Sequence, residues 1–467
     1  MRKVSSLLSI VMALAVLISI SACSKNEPGS NDESERHQEE QISETQEERI
    51  LTLATFNLDS MIRDRVMQFN NSNAMYHIEV IDYSEYGAET VIDPNDYGSS
   101  FNYYAGLNIL TTEIITGKIP DILDLSMMPY YQYASKGLLE DIYPFIDSDP
   151  SISRSDLVGG AIQAAEIDGK LFQLFPTFSI KTIVGHPSVL GFDMGWNIDE
   201  LKEVINANPG ADVPLGIGDA VTKTAFLRHI ISHNIEEYID WSSSTVNFDT
   251  EYFIEILEFV AATFPNEPVM GDDTNSPSQL LAANRQIMSI VNIADTQNYR
   301  YYKAIVGGDI VFKGFPGNMG NHHSVVGFHG LGMTTAAKDK DGVWQFLRTL
   351  LDEDFQLSFY NGFPTNRNAF DTFFDKGIED SKEPDTIYDP MTGEVWFELQ
   401  ALTLEDKNKV LMLIDSMTVT TGFSNLDDAF WNIIFESADD YFSGKSTAQD
   451  TARVVQSRVA IYVAERS

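Results

Sequence analysis

Between residues 50 and 125 the apolar positions switch period repeatedly, and that alternation narrows the fold more than any other feature of the chain. Ile50 to Phe56 (ILTLATF) alternates and is rich in branched side chains, the pattern of a strand. Asp59 to Asn70 places Ile62, Val66 and Phe69 at helical spacing, and Asn70 to Asn73 is a polar stop. His77 to Asp82 reads as a second strand, Ser100 to Thr116 as a second amphipathic helix ending at Gly117, and Ile119 to Leu125 as a third strand opened by Pro120. A β-α-β-α-β order argues for a mostly parallel α/β sheet. Ligands of such sheets bind beyond the carboxyl ends of the strands, which here are Phe56-Asn57 and Asp124-Leu125-Ser126.

The segment before this body has a different character. Arg2 and Lys3 precede an apolar run from Leu7 to Ile20, short of the ~20 residues a membrane span needs and suited to a signal-peptide core. The run ends in Ile20-Ser21-Ala22-Cys23, which resembles the bacterial lipobox; that resemblance makes residues 1–22 a lipoprotein signal peptide and Cys23 the diacylglyceryl-bearing new N-terminus. The competing reading is an uncleaved anchor with a chance cysteine. Cys23 is the only cysteine of the chain, so neither an intramolecular disulfide nor a thiolate metal cluster can form. From Ser24 to Arg49 acidic residues dominate and apolar side chains are almost missing, the composition of a self-repelling, disordered tether over residues 23–49. Two acyl chains hold a protein at a membrane stably. The expected location is therefore the extracellular face of the cell membrane, and the lack of disulfides with a long tether favours a Gram-positive-type surface.

Charge excludes other classes. Lys and Arg number 31 against 69 Asp and Glu, a net charge of −38. A sequence-independent nucleic-acid binder needs cations to neutralise phosphates, and a basic membrane-binding face needs them too.

Along the body, Gly117-Lys118-Ile119-Pro120-Asp121-Ile122 is followed by Tyr133-Ala134-Ser135-Lys136-Gly137-Leu138-Leu139-Glu140-Asp141-Ile142. The pair resembles the G-x-x-P-D … Y-A-x-x-G-L-L-x-D signature of bacterial extracellular solute-binding proteins, family 1, the sugar-binding lipoproteins of ABC importers. Asp168-Gly169-Lys170 with Pro176, Gly195-Trp196-Asn197-Ile198-Asp199-Glu200-Leu201, Val326 to Lys338, Val343 to Leu347, Gly362-Phe363-Pro364-Thr365-Asn366 and the closing stretch from Phe442 to Tyr462 resemble further motifs of that family in family order. The resemblance covers about residues 50–467. It implies a two-lobed periplasmic-binding-protein type II fold, α/β, each lobe a mixed, mostly parallel sheet flanked by helices. The first lobe would comprise residues 50–176 plus 329–362 and the second 177–328 plus 363–467, with crossings near Pro176, Gly327–Gly330 and Gly362–Pro364.

A receptor of this kind performs no covalent chemistry, takes no cofactor or metal, and closes on its ligand. Loops at the expected strand ends supply the candidate contacts: Phe56, Asn57, Asp124, Ser126 and Tyr130 from the first lobe, Phe178 and Ser179 at the first crossing, Asn292, Asp295 and Tyr299 from the second lobe, and His329 at the return crossing. Trp196, Trp241, Trp344 and Trp431 read as packing residues. Many family members carry a stacking tryptophan where this chain has Asn292-Ile293-Ala294.

Other motifs fall short. Gly444-Lys445-Ser446 ends like a phosphate loop, but the first glycine is Asp439, so a helix cap at Gly444 and an N-cap at Ser446 are the better reading. His322-His323 lacks carboxylates at ligand spacing, and Asp93-x-Asn95 with Gly98 lacks the twelfth-position glutamate of a calcium loop. The leading expectation is a monomeric, lipid-anchored binding component working with ABC permease subunits on a mono- or oligosaccharide. The rivals are a secreted carbohydrate-active enzyme using two carboxylates and a surface or sensory lipoprotein without transport.

Overall fold

The first described element is β1 (Arg49–Thr55), and Asp59 just beyond it starts α1 (Ser60–Ser72) by accepting a hydrogen bond from the Met61 amide at 2.7 Å. That helix buries Ile62, Val66 and Phe69, the three residues its periodicity picked out. Each is worth about 1.5–3 kcal/mol when fully withdrawn from water, as an upper figure. Then come β2 (Tyr76–Asp82), α2 (Tyr103–Ile115) and β3 (Ile122–Asp124). β1 pairs in parallel with β2 from Arg49↔Tyr76 to Thr55↔Asp82, and with β3 at Leu53↔Ile122 and Ala54↔Leu123. The expected first unit thus forms, with β3 shorter than its apolar run because Leu125 already belongs to the turn beyond it.

The computed structural model describes residues 48–87, 103–128, 130–217, 219–241, 243–267, 280–281, 283–318, 323–383, 385–388, 393, 395–417 and 428–465. The signal-like leader, Cys23, the acidic tether, Asp93, Asn95 and His322 lie outside these residues.

After α3 (Tyr130–Ser135) and α4 (Gly159–Gln163) the chain enters β4 (Thr177–Gly185). A second group of elements follows: β5 (Leu215–Ile217), β6 (Asp219–Ala220), α5 (Lys223–His233), β7 (Met288–Ile293), α6 (Thr296–Ile305), β8 (Val311–Phe312) and β9 (Ser324–Phe328). The chain then returns through β10 (Leu331–Met333), and β11 (Phe363–Pro364) and α7 (Leu404–Asp415) come later. β10 joins the first sheet, whose order is β10-β3-β1-β2; the second runs β8-β4-β7-β5-β6, with β9 and β11 also on β4.

Both sheets are mixed, but the second departs from the mostly parallel expectation. β7 and β5 are parallel, whereas β7, β8, β9 and β11 all run antiparallel to β4. The reason is directional: β4 leads away from the first sheet, and the segments that return run against it. The three expected crossings are brought side by side, since Thr177 lies opposite both Phe328 and Pro364, and Phe178 opposite both Gly327 and Phe363.

Apolar side chains gather in three clusters. One belongs to the carboxyl end of the first sheet's strands and includes Phe56, Leu123, Tyr130, Tyr133 and Phe172. A second, around α5, includes Ile183, Phe226, Ile230, Phe253 and Phe315. The third runs through both sheets, joining Leu53 and Ile62 with Phe178, Ile180, Val291, Val325 and Leu331. Trp196, Trp344 and Trp431 are buried as packing residues; the first two donate their indole N–H to Gly314 O and Asp149 Oδ2, each at 2.9 Å. Gly444 takes a positive φ after the penultimate helix as expected, but the N-cap of the last helix is Thr447, one residue beyond Ser446. His323 is buried against Thr182 at 2.8 Å. Among the described residues no group of three or more His, Cys, Asp or Glu could hold a metal ion, and no helix is long and apolar enough to cross a membrane.

α4 docks on α7 through a glycine: a methyl at Gly160 would overlap the Ile414 carbonyl, whereas one at Gly159 meets nothing within 4 Å. Gly160→Ala is therefore expected to lower the unfolding free energy by about 1–3 kcal/mol, and Gly159→Ala to leave it unchanged or raise it. Chemical denaturation of the two variants checks the contrast, and equal effects would contradict this packing.

Candidate ligand-binding site

The carboxyl ends of the first sheet's strands are tied together by hydrogen bonds. Thr55 Oγ1 donates to Asp124 Oδ2 at 2.7 Å, and the Ser126 amide donates to Asp124 Oδ1 at 3.1 Å. Asp124 is 8% exposed and has both oxygens engaged, so it shapes the turn and leaves Ser126 at the surface. Asn57 is exposed with φ 67°, and its amide donates to Asp82 Oδ1 at 3.0 Å. Burial pushes the Asp82 carboxyl up, but bonds from Ser84 and Asn57 outweigh that and hold it below the usual carboxylate range. His329 also sits in the left-handed region, at φ 59°. Its ring stacks on Phe359 at 5.6 Å and its Nε2 lies 4.0 Å from Asp59 Oδ2. Next to it, the Leu125 amide donates to Gly330 O at 2.8 Å, which locks the return crossing onto β3. Two non-glycine residues in a sparsely populated conformation at neighbouring chain turns mark a place where surrounding structure dictates the backbone.

Several expected contacts lie inside the protein instead. Tyr130 is 1% exposed and donates its hydroxyl to Ala165 O at 2.7 Å. Tyr299 is fully buried and donates to Asp406 Oδ1 at 2.9 Å; burial and that carboxylate both push its pKa up. Phe178 and Ser179 are buried because their strand, β4, runs through the interior, where Phe178 packs on Phe363 with ring centroids 5.9 Å apart. Phe56 turns into the first sheet's cluster against Tyr83, at 6.0 Å. Sequence placed these five in loops at strand ends, but Tyr130 and Tyr299 sit on the buried faces of α3 and α6, Phe178 and Ser179 lie within β4, which is buried on both faces, and Phe56 packs into the cluster beyond β1. Asp295 is half-buried and caps α6, accepting from the Asn298 amide at 2.6 Å. Asn292 is exposed, opposite Lys181 of β4. Of the expected contacts, Asn57, Ser126 and Asn292 are thus open to solvent, and His329 and Asp295 are partly so.

One cavity was missed. Two adjoining spaces of about 500 and 530 Å³ share Tyr131, Ile167, Asp168 and Trp241. One wall comes from α3 and the hairpin Glu166–Lys170, which pack with the first sheet's cluster; the other comes from Glu236, Asp240 and Trp241, which follow α5 and pack with the second sheet's cluster. Tyr131 spans the space, its hydroxyl donating to Glu236 Oε1 at 3.5 Å. Desolvation first, and the Glu236 charge second, raise the Tyr131 pKa well above that of a free phenol. Glu166 is held from behind by the Tyr143 hydroxyl. Aromatic rings with carboxylates and serine hydroxyls around them suit a polyol: the ring faces meet C–H faces and the carboxylates accept from hydroxyls. Two sequence signals pointed here. Asp168-Gly169 is a hairpin turn with both residues at positive φ, 51° and 72°. Trp241, assigned to packing, stands between Asp240 and Ser243 outside any amphipathic period, and is only partly buried.

No family model matches the chain, and no curated protein matches it. Solved structures do. The sugar-binding protein MalE from the phytopathogen Xanthomonas citri aligns over 89% of this chain and 98% of its own, at 13% identity and a TM-score of 0.55. An extracellular solute-binding protein family 1 structure from Alicyclobacillus acidocaldarius aligns over 89% and 98%, at 12% identity and a TM-score of 0.51. At these identities the likeness is one of fold. The chain has the α/β fold of the family 1 solute-binding proteins, as its motifs implied.

Asn57 offers a direct test of the strand-end geometry. Asn57→Gly is expected to keep or slightly raise thermal stability, and Asn57→Val to cost about 1–2 kcal/mol, because a branched side chain is disfavoured at positive φ. Equal melting temperatures for the two variants would show that the left-handed turn is not held in solution.

Proposed function

We propose that this protein is the lipid-anchored, extracellular substrate-binding component of an ABC importer, and that it captures a carbohydrate by closing two halves around it without chemical change. The observation that carries the reading is the cavity walled by Tyr131 and the Glu166–Lys170 hairpin on one side and by Glu236 to Trp241 on the other. A ligand there touches elements that pack with different sheets, so its contacts are complete only when the walls are together. The fold supports the same reading, since the structures it resembles are a sugar-binding protein and a family 1 solute-binding protein. The transport partners are a permease pair, and solute passes to them unaltered.

Ligand capture is tested with a panel of mono- and oligosaccharides, read by thermal shift and intrinsic tryptophan fluorescence. At 100 times its Kd a ligand adds about 2.7 kcal/mol to the folded state, a readily measured rise in melting temperature. Trp241→Ala is expected to weaken binding about tenfold or more with only a modest fall in the unliganded melting temperature, because the ring packs on the second cluster by one side only. A panel without any shift counts against carbohydrate, and turnover of any glycan by the purified protein favours an enzyme.

Anchoring rests on the Ile20-Ser21-Ala22-Cys23 stretch. The full chain expressed in a bacterial host should incorporate labelled palmitate and fractionate with membranes, and Cys23→Ala should do neither. Label on the alanine variant, or a mature N-terminus elsewhere than Cys23, would remove the anchor from this account.

A further inference from the structure

Alternation along β4 sends Phe178, Ile180 and Val184 into the shared cluster, and Ile183 to the opposite face against α5. Thr177, Ser179 and Lys181 share the face of Ile183. Lys181 stands between Asn292 on β7 and Ser324 on β9, its partners in register. From there the same face of β9 continues through Val326, opposite Ser179, to Phe328, opposite Thr177, and so to His329 at the strand-end cluster. Lys181 is four residues from Thr177, about 13 Å along the strand at ~3.3 Å per residue.

This stripe carries an ammonium, hydroxyls and an amide but no carboxylate. Among the described residues Lys181 has no carboxylate partner, and burial alone acts on its ammonium, lowering its pKa. The titratable group that feels its charge is His229 of α5, which burial first and Lys181 second hold neutral, with a pKa of about 3. The hydroxyls of Thr177 and Ser179 are buried without a hydrogen-bond partner, and Asn292 is open to solvent. Several other buried or half-buried cations are closely matched. Lys407 meets Asp371 and Asp375 at 3.0 and 2.7 Å, Lys303 meets Asp406 at 2.7 Å, and buried Arg300 donates to the carbonyls of Gln400 and Leu399, each at 2.7 Å. In a chain with 69 acidic and 31 basic residues, an unmatched, half-buried ammonium runs against the prevailing pattern, and such a group is costly unless something pairs with it.

Building on the solute-capture reading above, we propose that the solute bears a negatively charged group, a carboxylate as in a uronic acid or an ester sulfate or phosphate on a sugar, and that Lys181 with Asn292 receives it. The charge-assisted bond supplies selectivity for the acidic sugar over its neutral counterpart.

The test pairs each neutral sugar with its acidic counterpart: glucose and galactose oligomers against the uronic acids, and against the sulfated and phosphorylated forms. Calorimetry on the wild type should find at least one acidic member bound about tenfold or more tighter than its neutral partner, and which acid it is identifies the group. Lys181→Met should weaken that acidic member about 10- to 100-fold and leave the neutral one unchanged, while Lys181→Arg restores most of the preference. The methionine variant also removes a desolvated charge, so its unliganded melting temperature should be equal or higher; a fall would show that Lys181 is structural and overturn the proposal. Neutral members bound as well as or better than acidic ones, in both wild type and Lys181→Met, would overturn the proposal and leave solute capture standing. No binding by any member would overturn both.

Discussion

The register of β4 is the constraint on which the rest depends. Its nine residues (Thr177–Gly185) meet β7 and β11 along one edge and β8 and β9 along the other. Side chains alternate faces, so a slip of one residue would carry Lys181 into the cluster of Phe178, Ile180 and Val184 and expel those three. Close packing enforces the setting. Gly362 holds a φ of 98°, where a side chain is strained, and an added Cβ would lie 2.6 Å from Thr177 Cβ. The Gly362 amide in turn donates to Ala294 O at 3.0 Å, which joins the end of β7 to the start of β11. One strand therefore sets where β7 ends, where β9 hands over to His329, and where the 359–362 turn lies. Those are the positions around which the strand-end residues gather.

Charge explains much of what surrounds that spine. Cations are scarce and most have structural work. The Arg300 guanidinium gathers carbonyls from Ser381, Leu399 and Gln400, fastening that segment to α6. Lys303 and the Tyr299 hydroxyl converge on Asp406, which also accepts from Thr403 at the start of α7. Burial opposes the Asp406 charge, but these bonds prevail and keep its pKa below the ordinary carboxylate value. A buried carboxylate so engaged has no capacity for a ligand. The acids along the cavity, Asp168 and Asp240 among them, border open space instead.

The first unit was legible because its signals are local. Ile62, Val66 and Phe69 declare a helix face, Asp59 declares its start, and β1 to β3 fall where branched, alternating residues lie. The glycine and proline signals at Pro176, Gly330 and Gly362 each fall just before a strand, β4, β10 and β11. What stayed hidden was the facing of side chains at strand ends. Period-2 alternation distinguishes inside from outside only when one face is polar, and β4 is buried on both faces, so Phe178 and Ser179 gave no warning of their burial. Tyr299 failed for another reason: its partner Asp406 is 107 residues away, and no local pattern carries such a contact. Trp241 was overlooked because a lone tryptophan reads as packing until the hairpin at Asp168-Gly169 is seen on the facing wall.

The energetics of the cavity separate what the protein supplies from what a ligand must supply. The clusters that pack with its two walls are each complete without it, with Phe226, Phe253 and Phe315 fully buried on one side and Leu110 and Leu123 on the other. Across the space the Tyr131–Glu236 hydrogen bond is long, at 3.5 Å, and such a bond contributes little. Neither wall's own cluster depends on the other; the apolar cluster that runs through both sheets joins the halves, and direct contact across the cavity adds little to the balance between open and closed arrangements. A ligand can shift that balance only by its differential affinity for the closed arrangement. Both walls present a ring and carboxylates that a ligand could engage simultaneously, so on the solute-capture reading the cavity between Tyr131 and Trp241, rather than the covalently continuous strands, is where binding energy would be converted into closure.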